Sequence, residues 1–422
     1  MKDGILAFST DLRPSLAGAL KGLDDAGLLK QVVTAVAIDP RSLPGRCVKF
    51  ICDILPAKSR RGIERRFLPD FLRGKTQIMP AREIPRLLAS RFGGKVFAHR
   101  LWLWAELGFD SGVADRYAGV FKYVYGMEHS SLATFRKQKE LGGLCILRQV
   151  IAHGRKAAVV LRREISKFPE FSDSYTQLCL KDIGRVLLRK EEEYRLADLI
   201  VANSDFVKDS FIEAGVNKVK IVVVPTGCPS LALTAANAGR GNKPLVFLFT
   251  GNLSLRKGLP YLMDAWDMLK PEGKAELWLA GSASISLKLL DNRAAGVRYL
   301  GYLPQPELMK IYQKADVFVL PTLLEGQSYA MLEALSCGLP IVTTRESGCG
   351  SLVENGNNGF LIEPANTQAL YDALAWCLEH RGQLYNMGRV SQNKASDWGV
   401  QDSNMSHAAI IKNFLENKLA ES

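Results

Sequence analysis

Nowhere in these 422 residues does an apolar run approach the roughly 20 residues needed to cross a bilayer. The opening segment MKDGILAFSTDLRPS is broken by Asp11 and Arg13 before it reaches the length of a secretory signal, so the chain is expected in the cytoplasm. The eight cysteines, at 47, 52, 145, 179, 228, 337, 349 and 377, contain no CxxC pair and no metal-ligand spacing. Free thiols of a reducing compartment are expected, and neither a disulfide framework nor a zinc site. There is no D-x-D run and there are only five histidines, so no bound metal is expected. An acidic surplus is missing from the first half. Up to residue 235, 38 lysines and arginines face 25 aspartates and glutamates; beyond it the numbers are 17 and 18.

A basic half joined to a near-neutral half implies an anionic partner: nucleic acid, a phosphorylated substrate or an acidic membrane surface. The densest stretch, AKSRRGIERRFLPDFLRGK at 57–75, interleaves Lys58, Arg60, Arg61, Arg65, Arg66, Arg73 and Lys75 with Ile63, Phe67, Leu68, Phe71 and Leu72. Such a pattern suits an amphipathic helix lying on a membrane, or a solvated helix packed on its own domain. No nucleic-acid-binding motif accompanies it, and nucleic acid is not the expected partner.

Apolar runs alternate with helix-length segments along the chain. GILAFS (4–9), a periodic segment at 14–28 and QVVTAVAID (31–39) predict a parallel βαβ unit. Between 40 and 115 the pattern is harder to read, and predicts helices at 61–73 and 81–92 and a strand at 94–98. GVFKYVYG, LCILRQVIAHG, ADLIVANS and KIVVVPTG continue the alternation. CPSLALTAANAGRGNKP, 228–244, lacks periodicity and reads as a linker. The alternation then restarts with LVFLFTG, AELWLAG, VRYLGYL, DVFVLPT and GFLIEP. The fold expected is α/β: two tandem Rossmann-like, doubly wound domains facing a central cleft. Their bounds are 1–230 and 244–395, with a last helix, 396–422, that can return to the first domain. In such folds ligands bind beyond the carboxyl ends of the strands.

In PTLLEGQSYAMLEALSCGLPIVTT, 321–344, Glu325 and Glu333 stand eight positions apart in an apolar run. Glu325 follows a strand directly. A helix is expected from Gln327 to Cys337, closed by Gly338 and Pro340. At 1.5 Å per residue the carboxylates are on the order of 10 Å apart along the axis, enough to touch different parts of one elongated ligand. Between them the backbone N–H groups of Gly326, Gln327 and Ser328 open the helix and attract phosphate. Upstream, FLFTGNLSLRKG ends a strand in Gly251, where backbone can approach a ligand, and then presents Arg256 and Lys257.

With GNLSLRKG, EGQSYAMLE and LVENGNNGFLIEP together, the second half resembles the nucleotide-sugar domain of retaining glycosyltransferases of the GT-B fold, family four, strongly over 197–375. The resemblance implies that Lys257 and Arg256 hold a donor diphosphate, Glu325 bonds sugar hydroxyls, Glu333 bonds ribose hydroxyls, and backbone at Tyr302 and Leu303 meets the base. It implies His153, in QVIAHG, beside the donor sugar, with Glu128 and His129 as lesser candidates. Two departures stand out: Asn252 where many members have arginine, and EGQS where many have EGFG or EGFP. The usual glycine pair after the first strand is absent from STDLRPSLAG.

The implied activity is a metal-independent, retaining transfer from a nucleotide sugar to a glycan or lipid-linked acceptor, with the basic half resting on the inner face of the membrane. A sugar-nucleotide epimerase or a phosphorylase on the same fold is the alternative reaction, and a non-catalytic anion-binding protein the alternative class.

Overall fold

Both faces of a parallel strand are covered by helices, and so its residues are apolar without alternation. The computed structural model describes all residues except 13, 55–62, 65, 93–94, 173, 232–242, 292, 294 and 421–422, and contains two such sheets. The first is built from β1 (Lys2–Ser9), β2 (Leu29–Thr34), β3 (Thr76–Ile78), β4 (Phe121–Met127), β5 (Leu144–Gln149), β6 (Leu199–Ala202) and β7 (Ile221–Val223). Its order is β3-β2-β1-β4-β5-β6-β7, every pairing parallel. Among the described residues its helices are α1 (Pro14–Asp25), α2 (Leu43–Ile54), α3 (Glu83–Phe92), α4 (Lys95–Tyr117), α5 (Leu132–Glu140), α6 (Gly154–Lys167), α7 (Ser174–Leu196) and α8 (Asp205–Glu213).

The second sheet has the order β10-β9-β8-β11-β12-β13. Its strands are β8 (Leu245–Thr250), β9 (Ala275–Ala280), β10 (Val297–Gly301), β11 (Val317–Leu320), β12 (Ile341–Thr344) and β13 (Gly359–Ile362). Around it lie α9 (Leu259–Leu269), α10 (Lys288–Asp291), α11 (Gln305–Lys314), α12 (Tyr329–Ser336), α13 (Thr367–Glu379) and α14 (Leu384–Ser396). In each sheet the order reverses beside the first strand, β1 or β8, which opens a crevice at the carboxyl ends.

The last helix, α15 (Val400–Ala420), leaves the second sheet and packs along α1, burying Ile411 and Leu415 with Ile5, Leu20 and Ile146 of the first. A second bridge joins α6 to α9, where the Tyr261 hydroxyl donates to the buried Glu164 carboxylate at 2.6 Å. The seven cysteines described are free, and only Cys47 is exposed.

The region from 40 to 115 differs from expectation. Residues 95–98, read as strand, open the 23-residue helix α4. Ala105, Phe109 and Val113 are buried at helical spacing and decide the matter, where a short apolar run could not. Of the helix expected at 61–73, residues 61–62 and 65 lie outside the described residues, and the described rest is helical at Ile63 and Glu64 and in a single turn at Asp70–Leu72. The exposed apolar face is carried by α2 instead. Leu43, Cys47, Phe50, Ile51 and Ile54 fall on one side of it and all are exposed, Phe50 by 69% and Ile54 by 71%.

Candidate functional site

The loop after β11 runs from Pro321 to Ser328, and α12 begins at Tyr329 with Ser328 as its N-cap. The helix therefore starts two residues later than expected, and the N–H groups that open it shift accordingly. The Ser328 N–H is already spent on the Ser347 carbonyl (3.0 Å), and Met331 and Leu332 bond back to Ser328. At the start of a helix, the N–H groups without an intrahelical partner are then those of Tyr329 and Ala330.

Gln327 faces the other domain with its side chain. Its Oε1 accepts from the Thr226 N–H (2.6 Å) and its Nε2 donates to the Thr226 carbonyl (3.1 Å), pairing like one rung of a strand ladder. This gives the EGQS variation a physical role: the glutamine clamps the loop to the segment that leaves β7. Gly326 lies in the same contact. A Cβ there would come within 1.7 Å of the Val150 carbonyl, and the Gly326 carbonyl accepts from Ser204 Oγ at 2.6 Å. Leu324 completes the contact against Ala152 and Phe206.

Glu325 points back toward β8. Arg256 Nη1 donates to its Oε2 at 3.0 Å, and Lys257 Nζ forms an ion pair with the same oxygen. Burial disfavours the charge on Glu325, but Lys257 and Arg256 outweigh it and hold the carboxyl below its usual range. Burial also lowers the Lys257 ammonium, with Glu325 opposing and Arg256 adding to the shift. Arg256 is further fixed by the Leu324 carbonyl at 2.6 Å. These cations sit where they do because β8 is followed by Gly251, whose φ of 138° few other residues adopt, and the next turn closes at Gly258.

Glu333, on α12, is held at both oxygens, by Gln305 Nε2 (2.7 Å) and by the Tyr312 hydroxyl (3.0 Å). That hydroxyl also meets Thr250 Oγ1 at the end of β8 (2.6 Å), which anchors α12 to the strand. Tyr302 and Leu303 follow the edge strand β10, half-buried, with Leu303 against the second core. Asn252 supplies no charge; it ties the loop after β8 to the loop after β9 through Ser284 (2.8 Å) and Ser282 (3.3 Å).

Across the cleft, His153 caps α6. Its Nδ1 accepts from the Arg155 N–H (3.2 Å), and its ring packs between Tyr194 and Phe211. Burial lowers its pKa, so the ring is neutral, and with Nδ1 accepting, the proton resides on Nε2. Glu128 is engaged by Lys190 (2.7 Å), Gln149 (2.8 Å) and Tyr194 in the first domain. His129 adopts a φ of 78° and stacks on Trp102. Its pKa falls to about 4, mainly through burial. The structure thus brings Arg256, Lys257 and Glu325 together, keeps Glu333 on the adjoining helix, and joins Glu128 to His153 through Tyr194, with His129 stacked on Trp102. Ser204 and Thr226 were invisible to sequence reasoning, because their role lies in contacts made more than 100 residues along the chain.

Residues 244–380 match the family described as glycosyl transferases group 1. Among similar proteins is a putative colanic acid biosynthesis glycosyltransferase of Salmonella typhimurium, 27% identical over 53% of this chain and 58% of that one. Another is an amylovoran biosynthesis glycosyltransferase of Erwinia amylovora, 32% identical over 31% of this chain and 35% of that one. The chain thus spans between about a third and three fifths of these relatives. Solved structures with the same fold include a sucrose-phosphate synthase from Thermosynechococcus elongatus (TM-score 0.60, 16% identity, all of both chains). HepE of Anabaena, solved in complex with UDP and glucose, is another (TM-score 0.58, 18% identity, 97% of this chain and 99% of that one). Residues 244–380 thus match a glycosyl transferases group 1 domain, and the chain has the two facing sheets of the GT-B fold.

Proposed function

We propose that this chain is a retaining glycosyltransferase that moves a sugar from a nucleoside diphosphate sugar to a glycan or lipid-linked acceptor without a metal. The Arg256–Glu325–Lys257 cluster carries this reading. A diphosphate entering the cleft competes for the two cations and turns Glu325 toward the sugar hydroxyls. The cations then neutralise charge as it develops on the leaving group, in a site where most competing water is excluded. Glu333, positioned by Gln305 and Tyr312, takes the ribose hydroxyls; backbone at Tyr302 and Leu303 meets the base; and the N–H groups opening α12 take phosphate.

In the transfer, the bond from the anomeric carbon to the diphosphate oxygen breaks as the bond to the acceptor oxygen forms on the same face. The departing phosphate takes the acceptor proton. No carboxylate nucleophile is required, and positioning is the protein's main contribution. His153, neutral with its proton on Nε2, fits a hydrogen-bond donor to the sugar better than a base.

The same reading places the first domain against the cytoplasmic face of an anionic membrane, through the apolar side of α2 and its neighbours Arg41, Arg46 and Lys49. NMR of the product made from an α-linked donor, with EDTA present, tests the reaction. An α-linked product is expected, and a β-linked product or a need for added metal would refute it.

A further inference from the structure

Arg148, near the carboxyl end of β5, is only 4% exposed, yet no carboxylate among the described residues pairs with it. Its guanidinium has the Tyr125 hydroxyl beside it and makes two long contacts. Nη2 donates to the Ser15 carbonyl at 3.3 Å, and Nη1 faces His407 Nδ1 at 3.4 Å, while Nε is buried without a partner. His407 cannot share the charge, because burial and then the arginine itself hold it well below the usual imidazole range. Its Nε2 is taken by the Tyr125 hydroxyl at 3.1 Å. A guanidinium has five N–H donors, and a buried charge this poorly met is costly unless something negative joins it.

There is room for that group. The guanidinium borders a cavity where α1, the segment after β7, the start of α12 and α15 converge, lined among others by Ser15, Thr226, Tyr329, Ser403 and His407. Among the described residues, no aspartate or glutamate lines it. It is large enough for one small inorganic anion.

We infer that this cavity is a binding site for one small inorganic anion, with Arg148 as its cation and the Tyr329 hydroxyl as a second donor. Burial keeps that hydroxyl protonated, so it can point at an anion. The anion would join β5 and α1 of the first domain to α15 and to the first residue of the helix that carries Glu333. It is separate from the Arg256–Lys257 pair and does not depend on the transfer reaction.

The test uses the full chain without any nucleotide sugar. At constant ionic strength, thermal unfolding is followed as sodium gluconate is replaced by sodium chloride or bromide. A saturable rise of about 3 °C is expected for the parent, lost in Arg148→Gln and shifted to higher halide concentration in Tyr329→Phe. Should Arg148→Gln fail to fold, crystals grown in bromide give an independent answer, an anomalous peak in contact with the Arg148 guanidinium. The proposal is overturned if that peak is missing while other bromides are seen, or if Arg148→Gln keeps the same halide response. Absence of any halide response in the parent would also overturn it.

Discussion

Lys257 and Glu325 are ion-paired, with Arg256 donating to the same carboxylate oxygen at 3.0 Å, so the groups assigned to phosphate and to sugar neutralise one another before any ligand arrives. Burying either charge alone is unfavourable, and the pairing keeps both ionised.

Removing one partner separates stability from activity. Lys257→Met should lower stability by about 3 kcal/mol in urea unfolding, since Glu325 loses a buried counter-charge. The double variant with Glu325→Gln should recover part of that loss. Donor turnover should fall roughly 100-fold or more in both, because the diphosphate has lost a cation.

Gly326→Ala should weaken the contact between the domains. Its new methyl would stand 1.7 Å from the Val150 carbonyl, and neither backbone can move without disturbing Gln327 and Ser204. A stability loss of about 2 kcal/mol or more is expected, together with at least a tenfold fall in activity, read from thermal unfolding and initial rates.

Glu106 gives the fold a pH dependence. It accepts from Thr10 Oγ1 at 2.9 Å, and its pKa is raised to about 7, chiefly by burial and despite that bond. A carboxyl raised above its unfolded value stabilises while protonated, and that contribution is lost as pH rises from the unfolded pKa through about 7. Glu106→Gln should therefore flatten the curve between pH 5 and 8, removing up to about 3 kcal/mol of variation in urea unfolding.

The apolar side of α2 is exposed, so charging it should leave folding intact. Phe50→Glu with Ile54→Glu should change the melting temperature little and reduce sedimentation with anionic vesicles at least tenfold. Undiminished sedimentation would remove α2 from the membrane account.

What could be read in the sequence was local. The apolar strands, the glycine and cations after β8 and the spaced glutamates after β11 each declare themselves within a few residues. The strand misread at 95–98 shows the limit, because a short apolar run fits either period until the buried Ala105, Phe109 and Val113 extend it. Gln327 was readable as a departure but not as a clamp, since its partner Thr226 is 101 positions away. The pairing of Glu325 with Arg256 and Lys257 was equally hidden, though all three residues were identified, because sequence spacing says nothing of which ions meet across a sheet.

The proposed function requires the cleft to hold a nucleotide sugar between the cations after β8 and Glu333. Calorimetric titration of the full chain with UDP-, GDP- and ADP-sugars, repeated with Glu333→Ala, tests it most directly. Saturable binding of one nucleotide class is expected, weakened at least tenfold in the variant. Absence of binding across the panel, or equal affinity in parent and variant, would contradict it.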